Sequence, residues 1–395
     1  MKAELINFEL WHTYDNNYNQ DKIYQYKIKL ALDDIEEAID KKQIDTVVGL
    51  MLIDGFLYSN NKKFFDALEE IEYKARALGI KNFFLLPGMC SSISYQQDID
   101  NWGLSYRLIA DYDMSAEQLN ISYNGKQNNV WNPVSKKFLF LGGVPSRANR
   151  IGLLSRYYDN NMLLNAEWSF FPPWTEEDKI WCRKYLKKYS DEEYHTFINT
   201  CSKQIDDRYE QSKNYSRVNG KDFADLKLLE SPWLQDPSYI DPEIYRKTSL
   251  SIVSKFEYED ADSHLFLGEK TWRAIINKHP FIIADNIASE RFDYMKKIGL
   301  DIFEKFTVPN YGYIEEEEER LDAIVESTNI FINSIDKNSS IIKSAVQNNF
   351  NVLLQVLEQN KNIKNWLRQR LNVDTNSIDK WLAAKDYRSF IRIPK

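Results

Sequence analysis

Twice along this chain, short apolar runs alternate with long helical periods, and that alternation limits the possible folds more than any other feature. The first series opens with "AELINFELW", followed by a helical pattern from about Asp21 to Lys41. "DTVVGLMLID" then reads as a buried strand ending at Asp54. A second helical pattern covers Lys62 to Leu78, and Gly79 leads into "NFFLLPG". Strands separated by helices of this length pair in parallel, because the crossover is too long for a hairpin. The expected class is therefore α/β.

A second series opens with the strand "KFLFLGG", Lys137 to Gly143, after a polar segment from Asn124 to Lys137 that carries Pro133 and reads as a linker. The pattern resumes with "SLSIVSKFE" as a strand, Thr271 to Lys278 as a helix and "FIIAD" as a strand. Ser289 is a suitable N-cap for "ERFDYMKKI", Gly299 a suitable stop, and "LDIF" reads as a further strand. "EEEEER" opens a helix where acidic residues suit the N-terminal dipole, and from Ser339 the pattern is helical nearly to the end. Between Trp168 and Tyr245 the chain is irregular and rich in aromatics, Pro and charge. The expected division is an N-terminal Rossmann-like domain over residues 1–130 and a second over residues 131–335 with a helical insertion at about 168–245. A helical, basic segment over residues 336–395 follows.

A length of 395 residues suits two cores of ordinary size. The net charge of −8 excludes a surface that is basic throughout, but the charge is uneven. From Lys361 to Lys395 there are nine Lys/Arg against three Asp. Within that segment Trp366, Trp381, Tyr387 and Phe390 interleave with Lys364, Arg368, Arg370, Arg388 and Arg392. Such a mix either grips a phosphate backbone and stacks on bases, or packs its rings back on the protein with the cations in water. Three cysteines, Cys90, Cys182 and Cys201, have no CxxC spacing, which argues against a disulfide framework or a zinc site. The start "MKAELINFEL" carries Glu4 and Glu9 where a signal peptide needs an apolar core, and no run is long enough to span a bilayer. A cytoplasmic setting is expected.

Two segments carry residues suited to chemistry. In "FLFLGGVPSRANRIGLLSRYYD" a strand meets Gly142-Gly143 and then a helix bearing Arg147 and Arg150. A helix start with two fixed cations seats a diphosphate, unless the arginines simply face solvent at an ordinary turn. The pattern is neither GxGxxG nor a Walker A loop, so it supports neither an NAD site nor a P-loop. In "FLGEKTWRAIINKHPFIIADN", Trp272, Ile275, Ile276 and His279 share one helical face. Glu269 and Lys270 therefore stand at the helix entrance, beside the carboxyl edge of the preceding strand, where open α/β sheets bind ligands. A carboxylate there accepts two ribose hydroxyls and a lysine meets phosphate oxygens; the plainer alternative is a glutamate favoured by the helix dipole. His279 reads as a core or capping residue. The acidic pairs Asp111/Asp113 and Asp260/Asp262 resemble metal-bridging DxD motifs only in spacing.

With both segments quoted, a family likeness is apparent. The stretch from "FLFLGGVPSRANRIGLL" to "NAEWSF" resembles the nucleotide-binding domain of a group of phage and viral glycosyltransferases. "SIVSKFEYEDADSHLFLGEKTWRAIINKHPFIIADNIASERFDYMKKIGLDIF" resembles the later part of the same domain and, more distantly, the donor-binding half of fucosyltransferases and exostosin-like enzymes. The resemblance covers about Lys137 to Ala166 and Leu250 to Phe303. It implies a GT-B-like fold, two Rossmann-like domains facing a cleft, with a nucleotide-sugar as co-substrate, no cofactor and no obligatory metal. Carried over, Arg147 and Arg150 would face the diphosphate, Ser254 the sugar or phosphate, Glu269 the ribose and Lys270 the phosphates. The family's usual Thr-Glu-Lys step is Gly268-Glu269-Lys270 here. In an inverting enzyme the base would come from the first domain, where Asp54 and His12 end strands. The acceptor expected from the likeness is a hydroxyl, such as that of a hydroxymethylated pyrimidine in phage DNA, or one on a surface or virion glycan. The rival classes are an inactive GT-B-like binding or virion-associated protein and another nucleotide-using enzyme such as a sugar-nucleotide epimerase.

Overall fold

The computed structural model describes residues 2–8, 20–51, 62–87, 96, 99–109, 112–123, 131, 133, 136–143, 148–170, 173, 176–202, 242–254, 267–284, 289–376 and 378. Two compact units emerge: Met1–Ser122 with Asp260–Leu267 and Leu354–Lys395, and Tyr123–Glu259 with Gly268–Leu353. Each has its own parallel sheet, so the α/β expectation holds, and the architecture is compatible with two Rossmann-like domains. The expected C-terminal segment is shared out: residues up to Leu353 go with the second unit and the rest with the first.

The first unit contains β1 (Ala3–Asn7), α1 (Gln20–Lys42), β2 (Thr46–Met51), α2 (Lys62–Ala77), β3 (Asn82–Pro87), β4 (Tyr106–Leu108) and α3 (Met114–Ser122). Its sheet order is β1-β2-β3-β4, all parallel. Each strand is laid down on the same side of the last, so right-handed crossovers put the connecting helices on one face. That face is a core of Ile28, Ala31 and Ile35 from α1 and Phe64, Leu68 and Ile71 from α2 against Ile6, Val47, Phe83, Leu85 and Tyr106. On α2 these residues recur at helical spacing, and Lys62–Asp66 and Glu70–Lys74 pairs decorate its outer side. Among the described residues no crossover helix covers the second face. Leu367, Leu371, Val373 and Ile378 from the chain's C-terminal part cover Ala3, Val48, Leu50 and Leu86 there.

The second unit holds β5 (Phe138–Gly143), α4 (Ala148–Asp159), β6 (Ala166–Phe170), α5 (Glu176–Tyr185), α6 (Asp191–Cys201), α7 (Pro242–Arg246), β7 (Leu250–Val253), α8 (Glu269–Ile276), β8 (Phe281–Ile283) and α9 (Ser289–Lys297). The helix α10 (Glu317–Leu371) begins here with Glu317, Glu318 and Glu319 in its first turn, as the acidic run predicts. Sheet order is β6-β5-β7-β8, again all parallel. Phe138 and Phe140 meet the ring of Tyr157 on α4, while Leu139 and Leu141, of opposite parity along the strand, pack with Tyr245 and Ile244. Trp131, expected in a polar linker, is buried and donates to the carbonyl of Ser249 (3.1 Å).

Three sequence expectations need correction. Trp168, the expected start of the insertion, lies inside strand β6. Residues of "LDIF" form no strand: the amide of Phe303 donates to the side chain of Asp301 (2.7 Å), and Phe303 adopts a left-handed φ of 61°. Asn349 occupies both backbone groups of Asp301 (2.7 and 2.8 Å), the groups a strand would need. The short β4 and helix α3 were not foreseen, since neither is long enough to show a period. Helix α9 starts at Ser289 itself rather than just after it, whereas Gly299 ends it as expected, with φ 91°.

Candidate functional site

In the second unit β5 connects through α4 to β6 on one side, while β7 pairs with β5 on the other. The carboxyl ends of β5 and β7 thus form the point where strand order reverses, the place where open α/β sheets leave a crevice. Gly142 sits at the end of β5 where the register shifts. A Cβ there would meet the carbonyl of Ser169 at 3.1 Å and the Phe140 ring at 3.2 Å, so any larger residue would press its neighbours outward by a few tenths of an ångström.

Four of the expected donor-binding residues come together at this end. Arg150, in the first turn of α4, is buried, and its Nη2 donates to the carbonyl of Ser254, just past β7 (3.4 Å). Lys270 Nζ donates to the same carbonyl (3.0 Å). Glu269 opens α8 directly after the N-cap Gly268, which supplies no side-chain cap. Neighbouring Asn149 ties α4 to the end of β8 by donating to the carbonyl of Ala284 (2.8 Å).

The electrostatics are those of a mostly cationic cluster. Burial lowers the pKa of the Arg150 guanidinium to about 10, with Glu269 acting in the opposite sense. Burial pushes the Glu269 carboxyl up, but Arg273, then Lys270, its own backbone N–H and Arg150 outweigh it. Glu269 is held below the usual carboxylate range. Two buried polar atoms here have no hydrogen-bond partner among the described residues, Arg150 Nε and Ser254 Oγ. Leaving such a group unmatched costs on the order of 1–3 kcal/mol, so a pair of them at one strand end needs a reason. An oxyanion offers acceptors to both and charge to the guanidinium.

Other expected residues fall elsewhere. Arg147, His12, Asp54, Asp111, Asp260 and Asp262 lie outside the described residues. Asp113 serves the fold: its carboxylate accepts from the amide of Ala116 (2.9 Å) at the start of α3. His279 is a buried core residue, with Nε2–H donating to the carbonyl of Thr248 and Nδ1 accepting from the Ser251 hydroxyl (both 2.8 Å). Cys182 and Cys201 are free, buried thiols. Among the described residues no group of His, Cys, Asp and Glu is arranged to hold a metal ion, and no helix is long and apolar enough to cross a membrane. Arg273 escaped the sequence reading; its signal was the four-residue spacing from Glu269, hidden by attention to the apolar face of the same helix.

Comparison with protein-family models, with curated proteins and with solved structures returned no match. The site's chemistry therefore stands on its geometry.

Proposed function

We infer that the protein is a glycosyltransferase of the GT-B kind, moving a sugar from a nucleotide-sugar to a hydroxyl acceptor. The observation that carries this reading is the buried Arg150, with its Nε and the Ser254 hydroxyl unmatched among the described residues at the strand-order reversal of the second sheet. Sugar transfer leaves a nucleoside diphosphate, and the barrier falls when fixed cations hold the charge that develops on it. Arg150 and Lys270 supply that charge, joined by Arg147, and do what a metal does in other transferases. Ser254 donates its hydroxyl to a phosphate or sugar oxygen. Glu269, kept ionised, accepts the two ribose hydroxyls. A base in the first unit, Asp54 or His12, takes the acceptor proton. The acceptor is a hydroxymethylated pyrimidine of phage DNA or a surface or virion glycan.

A thermal-shift screen against UDP-, GDP-, ADP- and CMP-sugars tests the donor site. One class should stabilise the wild type, and the shift should vanish in Glu269→Ala and Arg150→Ala. No shift across the panel sinks the reading. Binding without donor hydrolysis or transfer to any acceptor would identify an inactive binding protein instead.

A further inference from the structure

Arg150 and Ser254 each keep a polar atom buried and unmatched among the described residues, Nε on the one and the hydroxyl on the other. Both residues belong to the interior, at 5% and 1% exposed. They come from different elements, the first turn of α4 and the residue after β7, yet they share one neighbourhood. Arg150 Nη2 donates to the Ser254 carbonyl (3.4 Å), and Nε is joined to Nη2 through Cζ alone. The guanidinium thus has a neutral carbonyl as its partner, where a buried cation calls for an anion. Lys270 brings a second cation to that same carbonyl (3.0 Å). The frame is fixed by the fold itself, because Asn149 ties the same turn of α4 to the carbonyl of Ala284 at the end of β8 (2.8 Å). A water molecule here would satisfy hydrogen bonds but leave the charge uncompensated. A tetrahedral phosphoryl group offers several acceptors on one centre, together with up to two charges.

We propose that Arg150 and Ser254 form a self-sufficient subsite for one phosphoryl group, so that the protein binds inorganic phosphate with no nucleoside or sugar attached, and phosphate competes with the donor. The competition rests on the reading of this strand end as the donor site; phosphate binding by itself does not. The two unmatched groups also set the sign of a measurement made without phosphate. Removing the Ser254 hydroxyl takes away an unmatched buried group, so Ser254→Ala should be at least as stable as the wild type in chloride and respond less to phosphate. A hydroxyl that serves only the packing would show the reverse, a lower stability with an unchanged response.

The test is urea unfolding of the full chain in phosphate and in chloride at equal ionic strength, with wild type, Ser254→Ala, Arg150→Gln and Arg150→Lys. At a phosphate concentration about ten times Kd, the folded-to-unfolded ratio of the wild type should rise roughly tenfold over chloride. Ser254→Ala should weaken phosphate binding about fivefold and Arg150→Gln about thirtyfold. Arg150→Lys should recover part of the loss, since it keeps the charge but not the planar fork. Ser254→Ala differs by one hydroxyl and decides the case even if Arg150→Gln fails to fold. No phosphate effect beyond chloride, or an equal effect in wild type and Ser254→Ala, overturns the proposal. Nucleotide-sugar titrations with and without phosphate then separate the two readings. Phosphate binding with no nucleotide-sugar binding sinks the donor site and leaves the subsite standing. Nucleotide-sugar binding that phosphate does not weaken overturns the proposal and leaves the donor reading intact.

Discussion

His279 shows how a residue that looks chemical serves the fold. Burial pushes its imidazole down to about 4, against hydrogen bonds to the backbone around Thr248, Pro280 and Tyr245 that act the other way. The folded state therefore keeps His279 neutral over a range where the unfolded chain protonates it near pH 6.5. Stability is full above that value and falls as pH drops toward the folded pKa, by roughly 3 kcal/mol at pH 4. Urea unfolding between pH 7 and pH 4 should show that decline, and His279→Gln should flatten it. An unchanged slope in the variant would mean that His279 is not the group titrating. Gly312 is the opposite case, a residue defined by absence of a side chain. A Cβ there would fall 1.5 Å from the ring of Phe292, so Gly312→Ala should cost about 3 kcal/mol, measured by the shift in urea midpoint.

Among the elements, α10 is held by two asparagines that mimic a backbone. Asn349 bonds both the amide and the carbonyl of Asp301 in the second unit (2.7 and 2.8 Å). Asn360 does the same with Asp113 in the first, at 2.9 and 2.7 Å. Both aspartates also turn the local chain, accepting from Phe303 and Ala116 respectively. Replacing either asparagine by alanine strands a backbone donor and acceptor together, at a cost of about 2 kcal/mol each. Denaturation of Asn349→Ala and Asn360→Ala checks this. Asn349→Asp and Asn360→Asp should be no better, because a carboxylate cannot donate to the facing carbonyl. No period in the sequence announces these bonds, since each pairs an ordinary polar side chain with a backbone far away in the chain.

For the molecule as a whole, the C-terminal part is a structural layer of the first unit. Lys364 pairs with Glu117, which also accepts from Tyr112 (2.8 Å), and Trp366, 40% exposed, meets the edge of Phe84. Truncation after Asn360 should therefore uncover the second face of the β1–β4 sheet, seen as dye binding to exposed apolar surface and loss of cooperative unfolding. A soluble, cooperatively folding truncation would contradict the packing. The same pairing bears on the acceptor. If this segment grips DNA, the steep fall of affinity with salt should weaken on Arg368→Ala and Arg370→Ala, while Lys364→Ala costs stability instead.

The local pattern of the chain was enough for both parallel α/β layers, for the positions of β1, β2, β3, β5, β7, β8, α1, α2 and α8, and for placing Glu269 and Lys270 at a sheet edge. Those follow from burial periodicity and helix-end chemistry, which act over a few residues. The sequence did not reveal that β7 adds to β5 on the side away from β6; Arg150 and Ser254, distant in the chain, were set at one site by the family resemblance and not by any local pattern. It did not single out Arg273 among the buried residues of α8, and it offered packing of the basic C-terminal segment back on the protein only as one alternative, without saying that the first sheet is what it covers. These depend on which strands pair and which faces remain uncovered. Long-range packing decides such matters, because every local pattern here is compatible with more than one strand order.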